Sequence, residues 1–213
     1  MSDIANDTRL DPRVKWALRN VPVTQLGDVD SRERLVEISN SPKAVALRDK
    51  TEALYDALDT EEVASSAGLA VSVHEITSEP DGNTIKIRVV RPVGDDELPC
   101  VYYLHGGGMQ NGTCFGAMYR IWARVLAAQG VAVAMVDFRN CLTPSSAPEI
   151  EPFPAGLNDC VSGLRWLIAS APELGVDASR VVVAGESGGG NLTLATGMQL
   201  LRDGEVGLIS GLY

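Results

Sequence analysis

Apolar positions recur every three to four residues along the first part of the chain and then every second residue from Leu69, so helices give way to strands there. Asp11-Pro12 opens a helical pattern through Val14, Trp16, Ala17 and Leu18, which Val21-Pro22-Val23 ends. A second amphipathic segment covers residues 31–38. A third starts at Ser41-Pro42, with serine as N-cap and proline at the first helical position, and runs to about Leu58. Val71, Val73 and Ile76, then Ile85, Ile87 and Val89, alternate on either side of Pro80-Asp81-Gly82-Asn83, which predicts an antiparallel hairpin. His74 falls inside it and reads as a solvent-facing or edge-strand histidine.

Beyond the acidic loop 94–97, Pro99-Cys100-Val101-Tyr102-Tyr103-Leu104 reads as a buried strand. A helix follows over 115–129, with Met118, Ile121, Trp122, Val125 and Leu126 on one face, then a strand over 131–136. A proline-rich connection reaches Pro154, where a helix runs through Leu157, Cys160, Val161, Leu164 and Leu167 to about Ser170. The pattern closes with a loop over 177–180, a strand over 181–185, a helix over 188–202 and a strand-like run over 207–213. This alternation predicts an α/β protein: a mostly parallel sheet of six strands counting the hairpin, with helices on both faces. Residues 1–65 form a helical segment without strands, and residues 66–213 form the α/β core.

Two motifs end parallel strands two βα units apart. Gly185-Glu186-Ser187-Gly188-Gly189 follows Val181-Val182-Val183-Ala184, and G-x-S-x-G between a strand and a helix is a nucleophile elbow: the serine stands on a strained turn that side chains at the glycines would obstruct. His105-Gly106-Gly107-Gly108 follows the strand ending at Leu104, and three successive glycines expose backbone N–H groups suited to an anion. Strands two βα units apart end at one edge of the sheet, so Ser187 and these amides can face one pocket. The chemistry this arrangement fits is acyl transfer. When serine adds to an ester carbonyl, fixed donors stabilise the developing oxyanion by about 3 kcal/mol each. Gly107, Gly108 and Gly188 are the expected donors, with Gly106 a weaker candidate, and Glu186 is expected to support the loops rather than react. Asp137 and Asp159 read as structural anchors, and Cys114 as a pocket-lining thiol.

Composition narrows the alternatives. The 213 residues are 45% hydrophobic and 22% charged, enough for a sizeable core. A net charge of -10, from 28 acidic and 18 basic residues, speaks against a nucleic-acid or anionic-membrane surface. The N-terminus carries Asp3, Asp7 and Asp11 where a signal peptide needs a positive start, and no apolar run spans a membrane. Cys100, Cys114, Cys141 and Cys160 lack C-x-x-C spacing, which predicts reduced thiols in the cytoplasm and no metal site. Asn191-Leu192 replaces the Lys-Ser/Thr pair of a phosphate-binding loop, so a nucleotide site is disfavoured, and no cofactor is expected.

With HGGG, GESGGGN, Asp137-Phe138-Arg139-Asn140 and Pro152-Phe153-Pro154-Ala155-Gly156 together, residues from about 70 to 213 resemble the bacterial hormone-sensitive-lipase family of α/β-hydrolase esterases, most of all its brefeldin A esterase branch. The resemblance implies a carboxylic ester hydrolase acting on a small-molecule ester, with the helices before Leu69 forming part of a cap and His105 orienting its own loop. It also implies a triad in the order Ser, Asp or Glu, His, both partners following the strand that here ends at Tyr213. No histidine follows His105. The C-terminal strands, the acid and the base are therefore expected on another polypeptide, or removed, and this chain alone is expected to turn over poorly. A non-catalytic binding protein on the same scaffold, in the manner of the plant gibberellin receptors, or an inert fragment is the alternative. A homo-oligomer is compatible with either reading.

Overall fold

A computed structural model describes residues 7–18 and 28–213. The predicted helix stop at Val21-Pro22-Val23 lies outside them. The chain forms two compact units, residues 1–34 and 35–213. The first holds α1 (Pro12–Leu18) and the start of α2 (Arg32–Ser39). In the second, α3 (Pro42–Asp56) begins as its sequence dictates, with the Ser41 side chain accepting from the Ala44 amide and Pro42 in the first turn.

The hairpin is present as β1 (Leu69–Ser78) and β2 (Asn83–Pro92), paired antiparallel from Leu69↔Pro92 to Ser78↔Asn83. β3 (Leu98–Leu104), β4 (Ala132–Asp137), β5 (Val176–Gly185) and β6 (Gly211–Leu212) complete a six-stranded sheet in the order β1-β2-β4-β3-β5-β6. β4, β3, β5 and β6 run parallel, and β2 joins them antiparallel through β4. All six residues of β4 are buried, as a strand covered on both faces requires.

Each face has its own core. Ile85, Ile87 and Val89 of β2 point toward α5 (Ala155–Ala169) and α7 (Gly188–Arg202), where Leu164, Leu167, Leu192 and Leu200 are buried. Val90 and Met135 point the other way, against Ala123 and Ala127 of α4 (Ala117–Ala127). Each fully buried leucine contributes about 1.5–3 kcal/mol relative to exposure.

Three local readings change. Residues 177–180, expected as a loop, belong to β5 as a bulge: Leu98 pairs with Val176 but Cys100 with Val181, so the intervening residues loop out within the strand. The Asp177 carboxylate accepts from the hydroxyl and amide of Ser179 and from Arg180, which closes the bulge and holds that carboxyl down at about 2. A short helix absent from the pattern, α6 (Ala171–Leu174), ends at Gly175 in a left-handed conformation. Of the strand-like run 207–213, Val206–Leu208 is a 3₁₀ turn and only Gly211–Leu212 pairs with β5. Gly197 of α7 sits against Leu212, and the outward positions Leu194, Met198 and Leu201 of that helix are exposed.

α3 contributes no buried side chain. It is fastened to α4 by polar contacts instead. Glu52 accepts from the Ala117 amide at 2.6 Å, capping α4 where its own N-cap, Gly116, has no side chain to offer. Arg120 reaches Asp56 at 2.6 Å and Asp59 at 2.7 Å, and Arg124 also pairs with Asp59. Burial opposes the charge on Asp59, but the hydrogen bonds from Arg124 and Arg120 outweigh it and hold the carboxyl below its usual range.

Candidate active site

β5 and β3 are parallel neighbours in the register Leu104↔Gly185, so the residues after each strand emerge side by side. On β5 the chain turns at Ser187, with φ 53° and ψ -120°, and enters α7 at Gly188 without an intervening loop. A non-glycine residue held there stores of the order of 1–3 kcal/mol. Gly189 donates to the Glu186 carbonyl at 2.8 Å and Asn191 to the Ser187 carbonyl at 3.1 Å, which fixes the turn. Ser187 is exposed, and Gly189 packs so tightly that a Cβ would run into the Leu104 carbonyl oxygen.

After β3, Gly107, Gly108 and Met109 take φ values of 112°, 66° and 61°, three left-handed residues in succession. Gln110 and Asn111 donate back to the Gly107 carbonyl, and Cys141 donates to the Met109 carbonyl at 2.9 Å, so segment 141–143 braces the loop from outside. A Cβ on Gly188 would lie 2.7 Å from the Gly108 nitrogen and 2.8 Å from that of Met109. Elbow and loop therefore meet backbone to backbone. Among the described residues, the amides of Gly107, Gly108 and Gly188 have no hydrogen-bond acceptor. The Gly106 amide is occupied, donating to Glu186 at 2.8 Å and to the Tyr119 hydroxyl at 2.9 Å.

Glu186 joins the two segments. Besides Gly106, its carboxylate accepts from the hydroxyls of Tyr103 at 2.5 Å and Tyr119 at 2.7 Å. Burial, then the hydrogen bond to Glu186, pushes both phenols up, so they stay neutral donors. Neither tyrosine was legible as a site residue. Tyr103 faces α4 rather than the elbow in a strand count, and Tyr119 lies beside the apolar face read from the helix; only the loop's three-dimensional path brings them to one carboxylate.

His105 is fully buried and stacked on Phe138, with ring centroids 4.1 Å apart. Its Nδ1 lies 2.8 Å from the Gly106 carbonyl oxygen, which can only accept, so the proton sits on Nδ1. Burial pulls its pKa below the usual histidine value and keeps the ring neutral. Nε2 lies 3.9 Å from Asp137 Oδ1 and makes no hydrogen bond. The other histidine, His74, is on edge strand β1, bonded to Ser72 at 2.8 Å and packed on Trp166. Four strand spacings separate β1 from β5, about 19 Å.

Both anchor aspartates are saturated. Asp137 accepts from the Thr113 hydroxyl and from the amides of Cys114 and Ser146, and Asp159 accepts from Ser78, Asn83 and Arg139. Cys114 is buried in the core under α4 and is not part of the wall of the cavity beside the glycine loop, and burial pushes its thiol well up. A cavity of about 640 Å³ adjoins the loop, walled by Gly106 and Gly107, by Phe115, Met118 and Tyr119, and by Leu47 and Tyr55 of α3. Its lining meets the glycine loop at Gly107 and does not include Ser187. Among the described residues, no three His, Cys, Asp or Glu side chains converge on a metal position, and no helix is long and apolar enough to cross a membrane.

Comparison with known proteins places this geometry. The sequence profile of the α/β hydrolase fold matches residues 101–212. Over 133 residues the chain is 43% identical to carboxylesterase NlhH of Mycobacterium tuberculosis, covering 62% of this chain and 39% of that protein. The solved structure of esterase Est22 superposes with a TM-score of 0.91 at 55% identity, over 99% of this chain and 61% of that one. Brefeldin A esterase, described as a bacterial homologue of human hormone-sensitive lipase, superposes at 0.79 with 34% identity, over 98% of this chain and 56% of that one. The chain thus spans about two fifths of the curated relative and about three fifths of the solved ones.

Proposed function

The chain belongs to the α/β hydrolase fold family, and on that premise we propose that it carries the nucleophile and oxyanion hole of a serine carboxylesterase. The observation that supports this most directly is the meeting of Ser187 with three unpaired amides, those of Gly107, Gly108 and Gly188, at the ends of neighbouring parallel strands. Ser187 Oγ adds to the carbonyl carbon of a small-molecule ester, and the carbonyl oxygen takes the negative charge into the amide cluster, where each donor lowers the barrier by about 3 kcal/mol. Collapse expels the alcohol and leaves an acyl-serine, which water hydrolyses to the acid. Glu186, His105 and the occupied Gly106 amide hold the loop in place. α3 serves as part of a cap, and the cavity against it receives one arm of the ester.

The hydroxyl proton needs a base. His105 is buried with its Nδ1 committed and His74 lies across the sheet, so neither fits the role. We therefore assign the acid and base to the remainder of the enzyme, equivalent to the further length that Est22 and NlhH possess. The exposed Leu194, Met198 and Leu201 on α7 and the open edge of β6 give that remainder a surface to pack on. Cysteines that form no disulfide among the described residues suit a reducing, cytoplasmic setting.

The test is covalent capture. Purified material is treated with a fluorophosphonate, its intact masses are recorded under denaturing conditions, and the adduct is mapped to a peptide. One adduct on Ser187, formed in the presence of that remainder, is the expected result. If the chain stays unlabelled with every copurifying polypeptide present, the catalytic assignment fails and the binding-protein reading replaces it.

Glu186→Gln tests the brace. Glutamine keeps the shape but cannot accept from three donors as a carboxylate does, so the oxyanion loop loosens by the worth of one charged hydrogen bond, about 1.5 kcal/mol. In the completed enzyme kcat for p-nitrophenyl acetate is expected to fall about tenfold with KM nearly unchanged. An unaltered kcat would remove Glu186 from the machinery.

A further inference from the structure

A second cavity, of about 490 Å³, opens between the hairpin turn, one face of α5 and the C-terminal end of α7. It shares no lining residue with the elbow or the oxyanion loop. Since α7 runs from Gly188 to Arg202 at 1.5 Å per residue, its far end lies about 20 Å from Ser187.

The groove is graded along its length. Leu157 and Val161, one helical turn apart on α5, form a buried apolar floor. At the N-terminal end of that helix Phe153 stands 81% exposed, an aromatic ring with little protein against it. At the other end are Arg165 and Arg202, and their situations differ. Arg165 is neutralised by Asp203 at 2.6 Å and Glu205 at 2.7 Å. Arg202 is exposed and makes no ion pair or side-chain hydrogen bond among the described residues, although it borders the same apolar floor. In a chain of net charge -10, a cation left unpaired at the end of an apolar groove points to an anionic ligand rather than to internal stability. Glu79, on the hairpin side of the groove, opposes any second negative charge.

We propose that this groove is a second binding site, which takes a monocarboxylate with an apolar tail, the carboxylate on Arg202 and the tail along Val161 and Leu157 toward Phe153. The helix supplies the length. From Leu157 to the level of Arg165 is about 12 Å at 1.5 Å per residue, close to the length of an extended eight-carbon chain, and Phe153 stands just beyond its tail. Arg165 stays with its own carboxylates and fixes the end of α7, so Arg202 alone carries the recognition.

The test is a titration of the full chain with octanoate, followed by backbone amide shifts. Saturable shifts are expected in residues 153–165 and 199–203. Arg202→Gln is expected to weaken binding about fivefold, the upper end of an exposed ion pair. Phe153→Ala, at a position too exposed to disturb the core, is expected to weaken it by a similar factor through lost apolar contact of about 1 kcal/mol. Octanol and acetate, each lacking half of the ligand, should fail to saturate the site. The proposal is overturned if both variants bind octanoate like the parent, if octanol binds as tightly as octanoate, or if the shifts are confined to residues 105–119.

Discussion

Ser187→Ala is expected to abolish capture by a fluorophosphonate and to lower ester turnover by the completed enzyme about 10⁴-fold or more, while leaving the fold intact. Loss of the nucleophile removes the covalent route altogether and leaves only binding and oxyanion stabilisation. The two effects separate because of the elbow's geometry. Ser187 is held at φ 53° by the turn, its side chain is exposed, and it makes no side-chain hydrogen bond among the described residues. Alanine keeps the Cβ and hence the same backbone strain, so denaturant unfolding should change by less than about 0.5 kcal/mol. Residual turnover within tenfold of the parent would show that another group does the chemistry.

The largest effect on stability is expected from Asp159→Ala. This carboxylate is fully buried and accepts from Ser78 at 2.6 Å, from Asn83 at 3.3 Å, and from the Arg139 amide, Nε and Nη2 at 2.8 to 2.9 Å. It thereby ties the hairpin turn to α5 and to the chain leaving β4. Burial acts against the Arg139 charge, yet hydrogen bonds to Asp159 and Asp81 outweigh it and push that pKa up, so the guanidinium remains charged in the folded protein. Removing Asp159 leaves it with Asp81 as its one carboxylate among the described residues, at a cost of about 3–5 kcal/mol. That is a large share of the 5–15 kcal/mol of order that holds a domain together. Urea titration of the variant against the parent measures it, and a loss under about 1 kcal/mol would mean that the pair is dispensable.

Those two residues also mark the limits of reading by sequence. Ser187 and its neighbours were legible because an elbow is local: a β-branched run, a G-x-S-x-G turn and a proline-free helix stand in order, and helix 188–202 has the bounds its pattern predicts. The hairpin was equally plain, since period-two alternation and a Pro-Asp-Gly-Asn turn lie within some twenty residues. Asp159 could be read as an anchor but not given partners, because these come from positions 78, 83 and 139. For the same reason the pattern does not bring Tyr103 and Tyr119 to Glu186 and does not place Cys114 in the core under α4. At residues 177–180 the polar run suggested a loop, and pairing on both flanks drew it into β5 as a bulge. Local order carries through periodicity and turn chemistry, whereas what a side chain meets is decided by the sheet's strand order.

The fastening of α3 has a consequence for how such a protein can diverge. Because that helix has no buried side chain and is attached through Glu52, Asp56 and Asp59, its remaining positions answer to no core volume. Substitutions at Leu47 or Tyr55 reshape a wall of the cavity beside Gly107 without disturbing the packing that holds the elbow. Selection on what enters the cavity can then proceed separately from selection on folding, with the acidic latch held constant while the wall is rewritten.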